Sequence, residues 1–161
     1  GLVAMRGVEL SEQGATFDEV TRAVDEAVKK SKVFFCIPVL KYLKAGGRIG
    51  KVSATIGDIL DLKPVITVGE DGIYHSVSKD RGMRRAVNTT VRKLIDYISG
   101  KKARFVAAYT SDRSEKSLEY FRTIMETLES HGIKNIITGQ ISQSLVSHTG
   151  PGLIGVAALV E

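Results

Sequence analysis

Six short apolar runs, each five to eight residues long, are spaced along this chain between amphipathic stretches that stop at glycine. They cover residues 33–37, 64–68, 73–78, 104–109, 133–138 and 153–160. Bounded by proline, glycine or charge, such runs read as strands, that at 33–37 as a buried one. Only two are joined directly: Gly69-Glu70-Asp71-Gly72 between 64–68 and 73–78 is a hairpin signal. In the second arm the alternation puts Ile73, His75 and Val77 on one side and Tyr74, Ser76 and Ser78 on the other. One hairpin among helix-separated strands implies a mixed sheet covered by helices, hence an α/β protein.

The intervening stretches carry helical period. Leu2, Met5 and Leu10 make a first short helix that ends at Gly14. Thr16-Phe17-Asp18-Glu19 is a capping box, and behind it Phe17, Val20, Val24, Ala27 and Val28 fall on one face. Residues 39–45 give about two turns, stopped by Gly46-Gly47. Val52, Ile56, Ile59 and Leu60 give another short helix. A long one runs from Met83 to Ile98 on Val87, Thr90, Val91, Leu94 and Ile95. Residues 114–130 follow on Leu118, Phe121, Met125 and Leu128, and stop at Gly132. The stretch 139–152 is too polar and glycine-rich for core and reads as a loop. No linker divides the 161 residues, and a chain this long buries roughly 70% of its unfolded surface.

Composition removes several function classes. One cysteine, Cys36, excludes an internal disulfide framework and fits a reducing, cytoplasmic compartment. No run of eighteen apolar residues could span a membrane as a helix. The net charge of +5 comes from 23 Lys and Arg against 18 Asp and Glu, so most cations have anionic counterparts. A nucleic-acid module would carry a denser basic stripe. The chain opens on apolar Gly1-Leu2-Val3-Ala4-Met5, without initiator Met or charged leader, and is expected to continue a longer protein.

Familiar catalytic motifs fail on their contexts. Gly150-Pro151-Gly152-Leu153-Ile154-Gly155 spells a dinucleotide fingerprint, but only six residues follow it and no helix or acidic partner can. Gly47-Arg48-Ile49-Gly50-Lys51 lacks the first glycine of a phosphate loop, at Ala45, and the hydroxyl after the lysine, at Val52. His75, His131 and His148 share no metal-ligand spacing. No metal, cofactor or catalytic triad is expected.

Two segments stand out from a plain core. Leu40-Lys41-Tyr42-Leu43-Lys44-Ala45-Gly46-Gly47-Arg48-Ile49 frees its backbone after a short helix and presents Arg48 on a tight turn. Ser147-His148-Thr149-Gly150-Pro151-Gly152 leaves backbone amides open beside an imidazole and a hydroxyl, a donor set suited to a carboxylate or phosphate. From the residues alone a helix stop and a satisfied turn histidine explain them as well.

Together, the L-x-Y-L-x-x-G-G-R-I and H-T-G-P-G segments resemble the DegV family of bacterial fatty-acid-binding proteins. Leu62-Lys63-Pro64-Val65-Ile66, Asp71-Gly72-Ile73 and Lys79-Asp80-Arg81-Gly82-Met83-Arg84-Arg85-Ala86 resemble further stretches of that family. The likeness runs along essentially the whole chain. It departs at Gly82, where the family often has Thr or Ser.

The resemblance implies a two-layer α/β lobe with a mixed, six-stranded sheet, residues 1–161 being the C-terminal lobe and an N-terminal lobe lying outside them. It implies a long-chain fatty acid in a tunnel, its carboxyl near the lobe boundary. It also implies a fatty acid kinase partner that makes the acyl phosphate. His148, Thr149, Gly150 and Gly152 match the carboxylate side. Arg48 and Arg81 match head-group or kinase contacts. The competing readings are a phosphotransfer domain related to dihydroxyacetone kinase and a basic interaction module. Met83 and Met125 are candidates for tunnel lining or for core.

Overall fold

A computed structural model of the chain describes residues 1–52 and 61–161. The helix expected at 52–60 lies, beyond Val52, outside the described residues. In chain order the elements are α1 (Leu2–Glu12), α2 (Phe17–Lys29), β1 (Ser31–Cys36), α3 (Lys41–Ala45), β2 (Leu62–Val68), β3 (Tyr74–Arg81), α4 (Met83–Ile98), β4 (Ala103–Thr110), α5 (Glu115–Ser130), β5 (Ile137–Gln140), α6 (Gln143–Thr149) and β6 (Ile154–Val160).

The strands form one six-stranded sheet in the order β3-β2-β1-β6-β4-β5. Only β4 and β5 pair in parallel, joined through α5; every other pairing is antiparallel. The sheet is therefore mixed, as the single hairpin requires. Strand β6 lies at its centre, and all seven of its residues are buried, which is why its sequence shows no alternation.

The two faces are covered differently. On the first, Phe34, Cys36, Val65, Val106, Ala108, Ile154, Val156 and Ala158 pack against Ala86, Val87, Val91 and Leu94 of α4 and Ile124 and Leu128 of α5. Met83 and Met125 join this cluster, so both serve the core. On the second, Phe35, Ile37, Ile66 and Leu153 pack with Leu43 of α3 and with Val52. Helices α1 and α2 reach the second face at the opposite end, where Ala23 and Ala27 approach Leu159.

Local chemistry explains most element boundaries. The capping box forms: the Thr16 amide donates to Glu19 Oε2 at 2.8 Å and the Glu19 amide to Thr16 Oγ1 at 3.4 Å. The buried stripe of α2 is narrower than its hydrophobic period. Gly7 of α1 meets α2 opposite Val20 and Val24, and that contact stops short of Phe17 and Val28, which are 84% and 57% exposed. Helix α5 turns most of its expected face inward, with Leu128 buried and Phe121 and Met125 packed on the core, but Ser117 and Ile124 are buried as well and Leu118 is exposed.

Three segments differ from the sequence expectation. Strand β5 starts at Ile137 rather than residue 133, because Asn135 adopts φ +57° and breaks the extended backbone. In the hairpin, the register jumps between Val65–Ser78 and Ile66–Ser76. That bulge puts Ser78 with Val65 and Ser76 with Ile66, which serve opposite faces, so the expected simple alternation of β3 is broken. The expected loop at 139–152 contains α6. Its ends carry signals in Ser142, at the N-cap with an extended backbone, and Gly150, at the C-cap with φ +79°.

Candidate functional site

The two unusual segments meet. Strand β1 ends at Cys36 opposite Ile154, the first residue of β6. The chain leaving β1 therefore enters α3 beside the turn that leads into β6, and α3 packs on α6. At this junction three glycines stand where side chains would collide. A Cβ on Gly46 would lie 2.6 Å from His148 Nδ1. One on Gly150 would strike the Tyr42 ring, and one on Gly152 would lie 2.9 Å from Pro38 Cγ. The glycines of the two motifs are thus places of close approach between them, which is more than a helix stop demands.

The Gly-Gly-Arg turn is set by its own backbone. The Gly46 amide donates to the Tyr42 carbonyl at 2.9 Å and the Arg48 amide to the Leu43 carbonyl at 2.8 Å. Between them Gly47 takes φ +67°, a conformation that costs most residues 1–2 kcal/mol. Arg48 is exposed, and its Nη1 donates back to the Gly46 carbonyl at 2.7 Å. The guanidinium is therefore held over the turn that abuts His148.

His148 lies in the last turn of α6 and is half-buried. Thr149 is 1% exposed and its hydroxyl donates to the Leu145 carbonyl at 3.1 Å. It ties the end of the helix while the imidazole beside it keeps access to solvent. Arg81 ends the edge strand β3, opposite Leu62. It is exposed at the same end of the sheet, but β2 and β1 separate its strand from β6. Gly82 at the start of α4 has φ +79° and its amide donates to the Asp61 carbonyl at 3.0 Å. That conformation disfavours a Thr or Ser there.

Sequence reasoning missed Asp112. It follows β4, and its carboxylate receives the Ser114 amide at 3.0 Å, the Ser111 hydroxyl at 3.0 Å and the Gly152 amide at 2.6 Å. Desolvation pushes its carboxyl up, but hydrogen bonds from Ser114, Ser117 and Gly152 outweigh it and hold the group well below the usual carboxylate range. The spacing Asp112-x-Ser114-x-x-Ser117 ahead of a helix was the available signal.

From this junction the second face of the sheet runs away as a shallow apolar bed. Across β1, β6 and β4 its rungs are Phe35–Gly155–Tyr109, Val33–Ala157–Ala107 and Ser31–Leu159–Phe105. Gly155 keeps the first rung low: a Cβ there would lie 3.1 Å from Tyr109 Cε2 and 3.2 Å from Phe35 Cβ. Val33, Phe105 and Tyr109 are only half-buried although their strands lie inside the sheet. Burial pushes the Tyr109 phenol up to about 12, so it stays neutral. At the far end Arg104 spans Glu9 of α1 at 2.9 Å and Glu161 at 3.2 Å. Among the described residues no group of three or more His, Cys, Asp or Glu is placed to hold a metal, and no helix is long and apolar enough to cross a membrane.

The family profile described as "Uncharacterised protein, DegV family" matches residues 1–161. The chain belongs to the DegV family. A DegV domain-containing protein of Clostridium acetobutylicum is 36% identical over 147 residues, covering 91% of this chain and 51% of its own length. A Thermus thermophilus DegV-family protein, whose structure is described as showing fatty acid binding, superposes with a TM-score of 0.86 at 26% identity, over 100% of this chain and 56% of its own. A Streptococcus pneumoniae fatty acid kinase B3 protein loaded with linoleic acid superposes with a TM-score of 0.83 at 19% identity, over 99% of this chain and 55% of its own, and so shares the fold. The chain spans about half the length of the relatives it matches. Its mixed α/β sheet is the DegV fold.

Proposed function

We propose that this DegV-family chain is one lobe of a fatty-acid carrier. The acyl chain lies along the open second face of the sheet, and the carboxylate sits at the α3–α6 junction. One observation carries the reading: His148 and the Gly-Gly-Arg turn come together at the mouth of an apolar bed left half-covered on interior strands. The three rungs from Gly155 to Leu159 span about 13 Å along β6, the stretch this lobe offers before α1 and α2 cover the face.

The energetics support retention without a covalent bond. Each buried methylene contributes about 0.8 kcal/mol, so fourteen methylenes contribute on the order of 10 kcal/mol before the costs of ordering. A carboxylate at the dry end of such a bed needs donors. In this reading His148 supplies the imidazole donor, Thr149 locks the helix end behind it, and Gly150 and Gly152 shape the turn around the head group. The Thermus relative, described as binding a fatty acid, supports the ligand class.

Residues 1–161 would form the C-terminal lobe, and an N-terminal lobe would roof the bed into a tunnel. That the relatives are about twice as long supports this. The chain acts as a carrier, and a separate fatty acid kinase makes the acyl phosphate. The linoleate-loaded kinase B3 protein with the same fold supports that partner. Arg48 and Arg81, both exposed at the junction end of the sheet, would face the kinase and the lipid head group. The carrier works in the cytoplasm, where the lone Cys36 thiol persists.

The test is to purify the protein at its full natural length from its host, extract it with organic solvent and weigh the extract by mass spectrometry. About one long-chain fatty acid per protein is expected. Repeated preparations free of lipid that also bind no added oleate would overturn the reading.

A further inference from the structure

We propose that Asp112 is the positioning residue of the carboxylate grip, holding the turn beside His148 in place through the amide of Gly152. This rests on the carrier reading above and deepens it, because it names what keeps the proposed binding imidazole in register with the sheet.

The turn has few donors to be held by. Between α6 and β6 the chain runs Gly150-Pro151-Gly152. The Gly150 amide is used in closing α6 on the Val146 carbonyl at 2.7 Å, and Pro151 has no amide. Gly152 has no side chain, and with φ +83° against Pro38 it has no room for one. Its amide is therefore the single N–H in these three residues through which another element can hold the turn. Asp112 Oδ2 takes that amide at 2.6 Å, the shortest of the carboxylate's bonds.

The anchor is itself fixed by two further donors. The Ser114 amide at the head of α5 and the Ser111 hydroxyl both donate to the same carboxylate. Ser111 in turn pairs with Leu153 twice: the Leu153 amide donates to Ser111 Oγ at 3.0 Å and the Ser111 amide to the Leu153 carbonyl at 3.0 Å. An ionised carboxylate accepts all three donors. An asparagine has one acceptor oxygen and must turn N–H donors toward one of these groups, so at least one is left unpaired. With the asparagine oxygen on the Ser114 amide, its NH2 group faces Ser111 Oγ and the Gly152 amide, and the turn, losing its hold, shifts on the small clearances at Gly46, Tyr42 and Pro38.

The experiment compares Asp112→Asn, Asp112→Glu and Thr90→Ala in the protein at its full natural length. Thr90 is a buried residue of α4 itself, on the other face of the sheet, its hydroxyl donating to the Ala86 carbonyl one turn back, and it serves as the stability control. Three readouts are taken: oleate affinity, the His148 ring resonances, and hydrogen exchange at the Gly152 amide without lipid. Asp112→Asn is expected to weaken oleate binding about tenfold, shift the His148 resonances and speed Gly152 exchange at least tenfold. Asp112→Glu is expected to recover part of each, and Thr90→Ala none of these losses. Oleate affinity reduced no more than by Thr90→Ala, or unchanged exchange at Gly152, overturns the assignment. If the parent protein binds no oleate at all, the carrier reading falls. The Gly152 exchange and His148 resonances then still decide whether Asp112 holds the turn.

Discussion

Gly46 and His148 are in contact across the α3–α6 junction, the imidazole Nδ1 occupying space where a Cβ on Gly46 would be only 2.6 Å away. Gly46 has φ −82°, so alanine fits its backbone, and its Cβ would press chiefly on the His148 ring and less closely, at 3.2 Å, on the Tyr42 carbonyl oxygen. Gly46→Ala is expected to lower oleate affinity about tenfold while costing about 1–3 kcal/mol of stability. Gly47→Ala, strained at φ +67° but meeting nothing, should cost about 1–2 kcal/mol and leave affinity near the parent value. Binding titrations and urea denaturation on both variants check the contrast.

Gly150 and Tyr42 form a second lock. Gly150→Ala meets both a positive φ and the Tyr42 ring, so a loss of about 2–4 kcal/mol is expected. Tyr42→Ala removes the obstacle, and the double variant should be more stable than the sum of the single losses predicts. A double-mutant cycle with a coupling energy of about 1 kcal/mol or more verifies the contact; additive losses contradict it.

His148 and the turn that carries Arg48 meet through Gly46, but in the proposed carrier the two side chains have different work. His148→Ala should release the lipid, raising the oleate dissociation constant about tenfold. Arg48→Ala should keep the lipid bound and reduce only the rate at which the kinase phosphorylates it. An Arg48 variant purified empty of fatty acid would reverse the assignment.

Asp71 predicts an acid dependence. The Lys51 ammonium bonded to it at 3.0 Å, then the Ile73 amide and His75, hold its carboxyl well below the usual carboxylate range. A carboxyl depressed on folding stabilises the fold above its unfolded value of about 3.9, and that stability is lost as pH falls through the folded value. The urea midpoint should therefore drop below about pH 4. The Asp71→Asn protein should start lower at neutral pH and lose less on acidification through that window.

The outer helix offers a control for all of these. Thr16→Ala removes the hydroxyl half of the capping box, leaving the residue-16 amide on Glu19, and should cost about 1 kcal/mol. With Phe17 and its first turn exposed, oleate affinity should not change.

Period and punctuation along the chain determined most of the architecture: α4 on Val87, Val91 and Leu94, the β2–β3 hairpin around Gly69 to Gly72, the Thr16 box and the buried run of β6. These are local properties, set by side-chain spacing, caps and backbone freedom within a few residues. The family was legible too, because its paired glycine motifs survive as strings.

What only the folded chain decided is where those strings meet. Tertiary packing brought Gly46 against His148, left Leu118 of α5 outside the core, inserted a bulge into β3, and buried the Thr149 hydroxyl against its own helix. It also joined Asp112 to Gly152, 40 positions apart. A carboxylate's choice among distant amides leaves no mark on the residues beside it, since only the sheet order carries the end of β4 alongside the start of β6.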